Sequence, residues 1–197
     1  MGSVGGIFAF GDAKFFGSTG NIRLNKPIVG MTSTPSGNGY WFVASDGGIF
    51  AFGDAAFYGA PTGVGSPIVG MSATPSGHGY WCVSRDGSLY AFGDAQNLGH
   101  PSSSQVAGIV SSRSGNGYWI ADGSGSLFAY GDARSFGGAG NLAQPVVGLA
   151  ATPKGSGYWM VARDGGIFSF GDARFFGSTG NIRLNQPIVG MTATSAL

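Results

Sequence analysis

The sequence is poor in charge: 10% of its 197 residues are charged, against about 25% in an average soluble protein. It contains no glutamate, and its formal net charge of +1 arises from scattered basic residues. A nucleic-acid-binding surface needs clustered lysine and arginine, so no nucleic-acid partner is expected. Apolar runs of the roughly 18 residues that cross a membrane as a helix are also missing. We therefore expect no membrane insertion.

Residues that commonly bind metals or carry out catalysis are scarce. The single cysteine, Cys82, excludes an internal disulfide. The two histidines, His78 and His100, form no His-x-His pattern, and no Cys-x-x-Cys occurs, so zinc is not expected. The Gly-x-Ser-x-Gly pattern of serine hydrolases and a phosphate-binding loop are absent as well. We predict that the protein is not an enzyme and has no metal and no cofactor.

Glycine and aromatic residues are abundant instead. The chain has 39 glycines, and aromatic residues make up 13% of it. A flexible linker or a disordered tail would be poor in aromatic residues. Aromatic and β-branched residues are typical of strands, and strong helix formers are few, so the composition predicts an all-β protein.

A unit of about forty residues recurs along the chain, as in repeat architectures. The Asp of Gly-Asp-Ala occurs at steps of 42, 40, 38 and 40 residues, and the Trp of Gly-Tyr-Trp at steps of 40, 38 and 40. These residues are Asp12, Asp54, Asp94, Asp132 and Asp172, and Trp41, Trp81, Trp119 and Trp159. Cys82 aligns with Phe42, Ile120 and Met160, so we expect it in the core and not as a nucleophile.

One unit, residues 67–99, predicts four antiparallel strands. "PIVGMSATP" follows a proline, as strands often do, and a glycine-rich turn leads into "YWCVS". The Asp-Gly of "RDGS" is typical of a tight hairpin, "LYAFGDA" follows it, and a short last strand is expected near "NLG". Large aromatic and small apolar residues alternate in "GIFAFGD", so neither face is polar. This pattern favours sheets that are covered on both faces.

These features predict a β-propeller of four-stranded antiparallel blades, each buried against its neighbours. A β-solenoid is the alternative repeat fold, although its coils are usually shorter. The single predicted domain, residues 1–197, is five-bladed: 28–59, 68–99, 107–137, 146–177, and an incomplete closing blade of 188–194 plus 7–17. We expect the innermost strands at 28–34, 68–74, 107–112, 146–152 and 188–194.

The closing blade departs from the repeat because it lacks a second strand. Residues 5–34 and 165–194 are identical at all but 4 positions. Near-identical ends could substitute for each other, so exchange between chains is an alternative to closure within one chain.

The repeat resembles known propeller blades. The segment "PIVGMSATPSGHGYWCVSRDGSLYAFGD" is similar to blades of the NHL and quinoprotein-like kind, whereas the signatures of WD40 and kelch repeats are absent. "SDGGIFAFGDA" with "PIVGM" and "GYW" is similar to glycine-rich arrays in exported proteins of actinobacteria. The resemblance implies an extracellular or cell-surface location, although the segment "MGSVGGIF" lacks the regions of a signal peptide. It implies little chemistry, since propellers host unrelated functions.

The repeated polar and aromatic residues have mainly structural interpretations. We expect the Gly-Asp-Ala carboxylates to be mostly buried and to accept local backbone N–H bonds, with a ring of metal or ligand contacts as the alternative. The hairpin Asp (Asp46, Asp86, Asp164) is replaced by Ser124, as a turn residue tolerates. The Tyr-Trp pairs favour packing between blades over stacking on sugars. Met31, Met71 and Met191 are predicted core residues.

The connections between units are the candidate binding segments, because loops on rigid scaffolds usually carry binding residues. "GSTGNIRLNKP" (17–27) and "GSTGNIRLNQP" (177–187) are longer than "GAPTGVGSP" (59–67) and contain Asn and Arg. The candidate ligand-binding residues are Asn21, Arg23, Asn25, Asp46, Arg85, Arg163, Asn181, Arg183 and Asn185. A merely polar rim without function is the alternative.

The function that the sequence favours is a non-catalytic binding module. It would offer several weak sites to a cell-wall or surface glycan, or to a protein, and multivalency would make weak sites useful. A structural or self-assembling scaffold without a small ligand is the alternative, with self-association through the incomplete blade.

Overall fold

The computed structural model describes residues 5–103 and 105–193, and these residues form four successive antiparallel sheets of three strands each and no helix. The strands are β1 Ile28–Ser33, β2 Gly39–Ala44, β3 Ile49–Gly53, β4 Ile68–Ala73, β5 Gly79–Ser84, β6 Leu89–Gly93, β7 Val106–Ser111, β8 Gly117–Asp122, β9 Leu127–Gly131, β10 Val146–Ala151, β11 Gly157–Ala162 and β12 Ile167–Gly171. The strands of each sheet pair in chain order. The predicted all-β class is confirmed. The described residues form no helix that could cross a membrane.

The chain divides into two compact units. The first consists of Met1–Ser84 with Leu89–Asn97, and the second of Arg85–Ser88 with Leu98–Leu197. Within the first unit β1 packs against β4, and within the second β7 packs against β10. In each unit, therefore, the first strands of two successive sheets lie side by side.

The middle strand of each sheet forms the core. Every residue of β2, β5 and β8 is buried. The residues of β3 that pair with β2 alternate in size: Trp41 pairs with Ala51, whereas Phe42 pairs with Phe50. A large side chain opposite a small one on one face lets the next sheet approach closely. The first pairing of every sheet also shifts register just before its glycine, as between Ile28 and Gly30.

Among the described residues, no fourth strand pairs with any of the four sheets, so that part of the prediction is wrong. Residues 54–60, for example, form no ladder with β3. Instead the segment leaves its own sheet and is held by side chains. The backbone carbonyl of Ala56 accepts a hydrogen bond from Trp41 Nε1 of the same repeat at 2.7 Å. Two residues later, the segment meets the tyrosine of the following repeat.

We call this second contact the tyrosine clamp. The hydroxyl of Tyr80 donates to the Gly59 carbonyl at 2.6 Å and accepts from the Tyr58 backbone N–H at 3.2 Å. The same pair of bonds recurs at Tyr40 with Gly17 and Phe16, at Tyr118 with Gly99 and Leu98, and at Tyr158 with Gly137 and Phe136. The glycine is required: Gly59 has φ 135°, and a Cβ there would lie 2.6 Å from Phe92 Cδ1. Side-chain bonds thus replace a ladder.

The predicted closing segments contain no strand in their described part, residues 7–17 and 188–193. Residue 194 lies outside the described residues. The physical reason is that neither segment has a ladder partner. In the other units the middle strand follows the first strand and precedes the third, and no described strand follows residues 188–193 or precedes residues 7–17. Residues 190 and 191 nevertheless occupy the place of a first strand: Gly148 faces the Gly190 Cα as Gly30 faces the Gly70 Cα.

Tyr80→Phe should destabilise the protein, because it removes both clamp bonds at a fully buried site. Leaving a buried N–H and carbonyl without partners costs about 1–3 kcal/mol. Urea unfolding measures the loss. Tyr90→Phe is the matched control, since the Tyr90 hydroxyl has no hydrogen-bond partner among the described residues, and it should change the free energy of unfolding by less than about 0.5 kcal/mol. Equal losses in the two variants would contradict the clamp.

The clamp should also make stability depend on alkaline pH. Burial raises the pKa of Tyr80, Tyr118 and Tyr158 above the ordinary value of 10.0. The folded state then holds these protons more tightly than the unfolded state, so the stabilisation is complete below about pH 10 and declines as pH rises above it. Unfolding free energies measured from about pH 8 to about pH 11 should fall, and Tyr80→Phe should flatten that fall. A slope unchanged by Tyr80→Phe would show that the clamp does not cause it.

Candidate functional site

The repeated carboxylates of Gly-Asp-Ala are structural, but not in the predicted way. Asp54, Asp94 and Asp172 are exposed, so the prediction of burial is wrong. Their main partners are side-chain hydroxyls of the turn before the second strand, although the Asp54 carboxylate also accepts from its own backbone N–H. Asp54 accepts from Ser36 Oγ at 2.5 Å and Thr34 Oγ1 at 2.9 Å, and the Ser36 bond, more than the Thr34 bond, holds the pKa of Asp54 below its usual value. The exposed carboxylate thus holds the turn through its hydroxyl groups.

The hairpin carboxylates shape turns, as expected. Asp46, Asp86 and Asp164 each accept the backbone N–H two residues later, at 3.0–3.2 Å. In the third repeat, which has Ser124 at this position, Asp122 accepts the Ser124 N–H at 2.9 Å instead. In this repeat the turn is kept, but its carboxylate belongs to Asp122, two residues before the position of the hairpin Asp in the other repeats.

The aromatic pairs pack in the core rather than at the surface. All four Tyr residues and three of the four Trp residues of Gly-Tyr-Trp are buried, and only Trp159 is half-buried. Within the units, the Trp41 ring lies 5.7 Å from that of Tyr80, and Trp119 lies 5.8 Å from Tyr158. Met71 is buried as predicted, but Met31 is exposed and Met191 half-buried, so the core prediction fails for Met31.

A groove in the second unit collects three of the predicted binding residues. Its centre is Arg163, the first residue of the hairpin turn after β11. The Arg163 N–H donates to the Pro145 carbonyl at 2.9 Å, and its carbonyl accepts from the Ile188 N–H at 3.0 Å. These two bonds fix the turn between two connecting loops, one before β10 and one before residue 188. The Arg163 side chain therefore faces both loops.

The groove has a volume of about 370 Å³ and is lined by Gln144, Arg163, Asp164, Ile182, Arg183, Leu184, Asn185, Gln186 and Pro187. Neither the Arg163 nor the Arg183 guanidinium has an ion pair or hydrogen bond to a described residue. One oxygen of Asp164 is engaged by the Gly166 N–H. Two free guanidinium groups beside amides and the exposed Ile182 suit a ligand with anionic or hydroxyl groups and a small apolar face.

The other predicted binding residues do not join this groove. Asn181 precedes it in the same loop, and Arg85 lies at another hairpin of the second unit. Asn21, Arg23, Asn25 and Asp46 are exposed residues of the first unit. The positions that correspond to Arg163 and Asp164 in that loop are Ser3 and Val4, which lie outside the described residues. Loops 21–27 and 181–187 are therefore nearly identical in sequence, but the hairpin residues that correspond to Arg163 and Asp164 differ.

Sequence analysis missed Asp164 and Gln144 as members of the groove. The signal for Gln144 is its place directly before Pro145, because that proline carbonyl receives the hairpin N–H. The residue before each such proline is thus held beside a hairpin turn. Asp164 had been assigned to the turn alone, a role that it also fills.

The histidines and the cysteine of the described part of the chain form no metal-ligand set. His78 and His100 are exposed, and no group of three or more His, Cys, Asp or Glu residues within residues 5–103 and 105–193 could hold a metal ion. Cys82 is completely buried, and burial raises the pKa of its thiol to about 12. At neutral pH the reactive thiolate is therefore nearly absent.

Cys82 should accordingly be inert toward a disulfide reagent in the folded protein at pH 8. Titration with such a reagent should find no accessible thiol under native conditions and one per chain in guanidinium chloride. Cys82→Ser, which places an uncompensated hydroxyl in the core, should lower stability by about 1–3 kcal/mol. Rapid native labelling would contradict the buried assignment.

Comparison with known proteins gives no family assignment: no protein-family model matches the sequence, and no curated protein matches it significantly. The groove and the repeat geometry are therefore the basis for the functional proposal.

Proposed function

We propose that the chain is a non-catalytic binding module whose groove around Arg163 and Arg183 takes an anionic glycan. The observation that carries this proposal is the convergence of these two free guanidinium groups with Asn185, from segments 20 residues apart in the sequence. Arg binds carboxylate and sulfate groups through paired N–H bonds. The volume falls in the lower range of ligand pockets, about 300–1,000 Å³, which suits one or two sugar rings of a longer chain.

The sheets belong, in this proposal, to a β-propeller of five blades with an incomplete closing blade. Support comes from the side-by-side first strands within each unit and from the place of residues 190 and 191 beside Gly148. The likeness to glycine-rich arrays of exported actinobacterial proteins, with NHL and quinoprotein-like blades, remains part of the proposal. So does an extracellular or cell-surface location, where cell-wall or surface glycans would be available as partners.

Multivalency is proposed on narrower grounds. The loop of residues 21–27 repeats the Asn, Arg and Asn of the groove loop, but without a hairpin arginine. Its contribution would be weaker, and useful only when a repetitive ligand engages both loops at once.

Arg183→Ala should weaken binding of immobilised uronate-containing oligosaccharides by roughly 10- to 100-fold, since a charge-assisted hydrogen bond is lost. A glycan array with acidic and neutral glycans measures selectivity, and titration on the best probe measures the change. Lys14→Ala is the matched control, because it removes the same charge from an exposed site outside the groove. It should leave affinity unchanged at moderate ionic strength.

Two results would overturn the proposal. One is an equal loss in Lys14→Ala, which would mean that net charge alone attracts the glycan. The other is a silent array with the unmodified protein. Silence combined with oligomers in light scattering would favour the alternative, a self-assembling scaffold, which the exposed aromatic residues Phe8, Phe10 and Phe176 support.

A further inference from the structure

The clamp position formed by Phe176 and Gly177 is bound by no tyrosine of the described residues. Phe176 and Gly177 correspond to Tyr58 and Gly59, yet no fifth Gly-Tyr-Trp strand exists among the described residues to cover them. Phe176 is 82% exposed, whereas Phe16, Tyr58, Leu98 and Phe136 at the same position are half-buried under a tyrosine ring. The face that ends the second unit is therefore built to receive a further repeat.

Two apolar cavities mark where that repeat would lie. Both are lined by Trp159 and Phe176, one of about 260 Å³ with Met191 and one of about 330 Å³ with Arg174. At the equivalent Trp119, the ring of Tyr158 fills this space. The cavities thus lie where the tyrosine ring of a following strand would pack against Trp159.

Residues 188–193 point to the same missing element. The Ile188 N–H donates to the Arg163 carbonyl as the Ile68 N–H donates to the Ser45 carbonyl. Residue 190 lies beside Gly148 as a first strand does. What this segment lacks is a second strand to pair with.

A strand of the required kind exists at the start of the same chain. β2 carries Tyr40, and it pairs with β1, whose sequence IVGMTS differs from residues 188–193 only in its last residue. Tyr40 clamps residues 16 and 17, which are identical to residues 176 and 177. The local geometry also repeats: Thr19 Oγ1 donates to the Gly5 carbonyl at 3.4 Å, and Thr179 Oγ1 to the Gly165 carbonyl at 3.5 Å.

We propose that residues 165–193 of one copy take the place of residues 5–33 in a second copy, so that chains associate head to tail. The second copy's Tyr40 then clamps Phe176 and Gly177 of the first, and its β2 pairs with residues 188–193. The occupant is a second copy because its displaced segment matches the incoming one at 26 of the 30 positions 5–34, and because Phe176, Phe8 and Phe10 all stay exposed in the single chain.

The exchange is favoured because it repeats existing contacts and adds new ones. The incoming segment restores the clamp and ladder bonds that the displaced one gives up. It also covers Phe176, which is exposed in the single chain, and the half-buried Trp159. Of the displaced segment, residues 7–17 form no ladder in the described structure, and the ladder that β1 gives up is restored by residues 188–193, which share five of its six residues. Such an interface is heterologous, so it yields rings or open chains rather than only dimers.

The test compares Phe176→Ser with Phe175→Ser. Phe176 would be covered by the second copy's Tyr40, whereas Phe175 is 61% exposed and corresponds to Phe57, which stays 62% exposed although a sheet follows it. Sedimentation and light scattering over protein concentrations from about 1 µM to about 1 mM should show association of the unmodified chain. Phe176→Ser should raise the dissociation constant by roughly 10- to 100-fold, and Phe175→Ser should leave it unchanged.

Hydrogen exchange distinguishes the proposed strand pairing from nonspecific association through apolar surface. In the associated form the amides of residues 189–193 should be protected, and in monomeric Phe176→Ser they should exchange rapidly. A chain that stays monomeric throughout the concentration range would overturn the proposal. So would equal effects of the two substitutions, because they would indicate association through apolar surface in general. Residues 182–187 of the groove lie within the exchanged segment, but the proposed contacts are made by Phe176, Gly177 and residues 188–193, so the association test does not depend on whether the groove binds a glycan.

Discussion

The hydroxyl of one tyrosine per repeat satisfies the backbone of the preceding repeat. The fourth segment leaves its sheet, so its N–H and carbonyl groups have no ladder to enter, and buried backbone groups need partners. A phenol can donate and accept at once, and Tyr80 does both, toward Gly59 and Tyr58. Each repeat therefore depends on the next one for its own backbone bonds. This dependence explains why Gly-Tyr-Trp recurs in register while the connecting loops vary.

This dependence leaves little of the repeated chemistry free for function. The tyrosines hold backbone, the tryptophans hold the segment of their own repeat, and the Gly-Asp-Ala carboxylates bind turn hydroxyls. What distinguishes one repeat from another is the residue that begins each hairpin: Ser45, Arg85, Gly123 and Arg163. The backbone of Ser45 bonds to Pro27 and Ile68, and the backbone of Arg163 bonds to Pro145 and Ile188, so each of these two residues bridges two loops. A change at residue 163 alters the groove, in which Arg163 lies together with Arg183.

The sequence was sufficient for the first three strands of each unit but not for the contacts between repeats. Alternation and turn residues placed the first three strands of each unit to within a residue or two, because short-range patterning determines them. The fourth strand was mispredicted, because an extended "AFYG" segment does not reveal whether a ladder or a distant tyrosine holds it. Burial of Asp54 was mispredicted for a similar reason: its partners, Thr34 and Ser36, lie in a different turn. At the site, the pairing of Arg163 with Arg183 follows from loop positions, whereas Gln144 depends on a third segment.

The groove and the unpaired end of the second unit are consecutive parts of one segment. Residues 182–187 line the groove, and residues 188–193 continue directly into the place of an unpartnered first strand. Ile188 connects the two, since its N–H binds the carbonyl of Arg163 while its chain leads away toward Gly190. The position of Arg183 is thus determined by an anchor at Ile188 and by the turn at Thr179, whose carbonyl accepts the Ile182 N–H. A strand partner for residues 188–193 would restrain that anchor, so order at the end of the second unit and order in the groove depend on the same backbone.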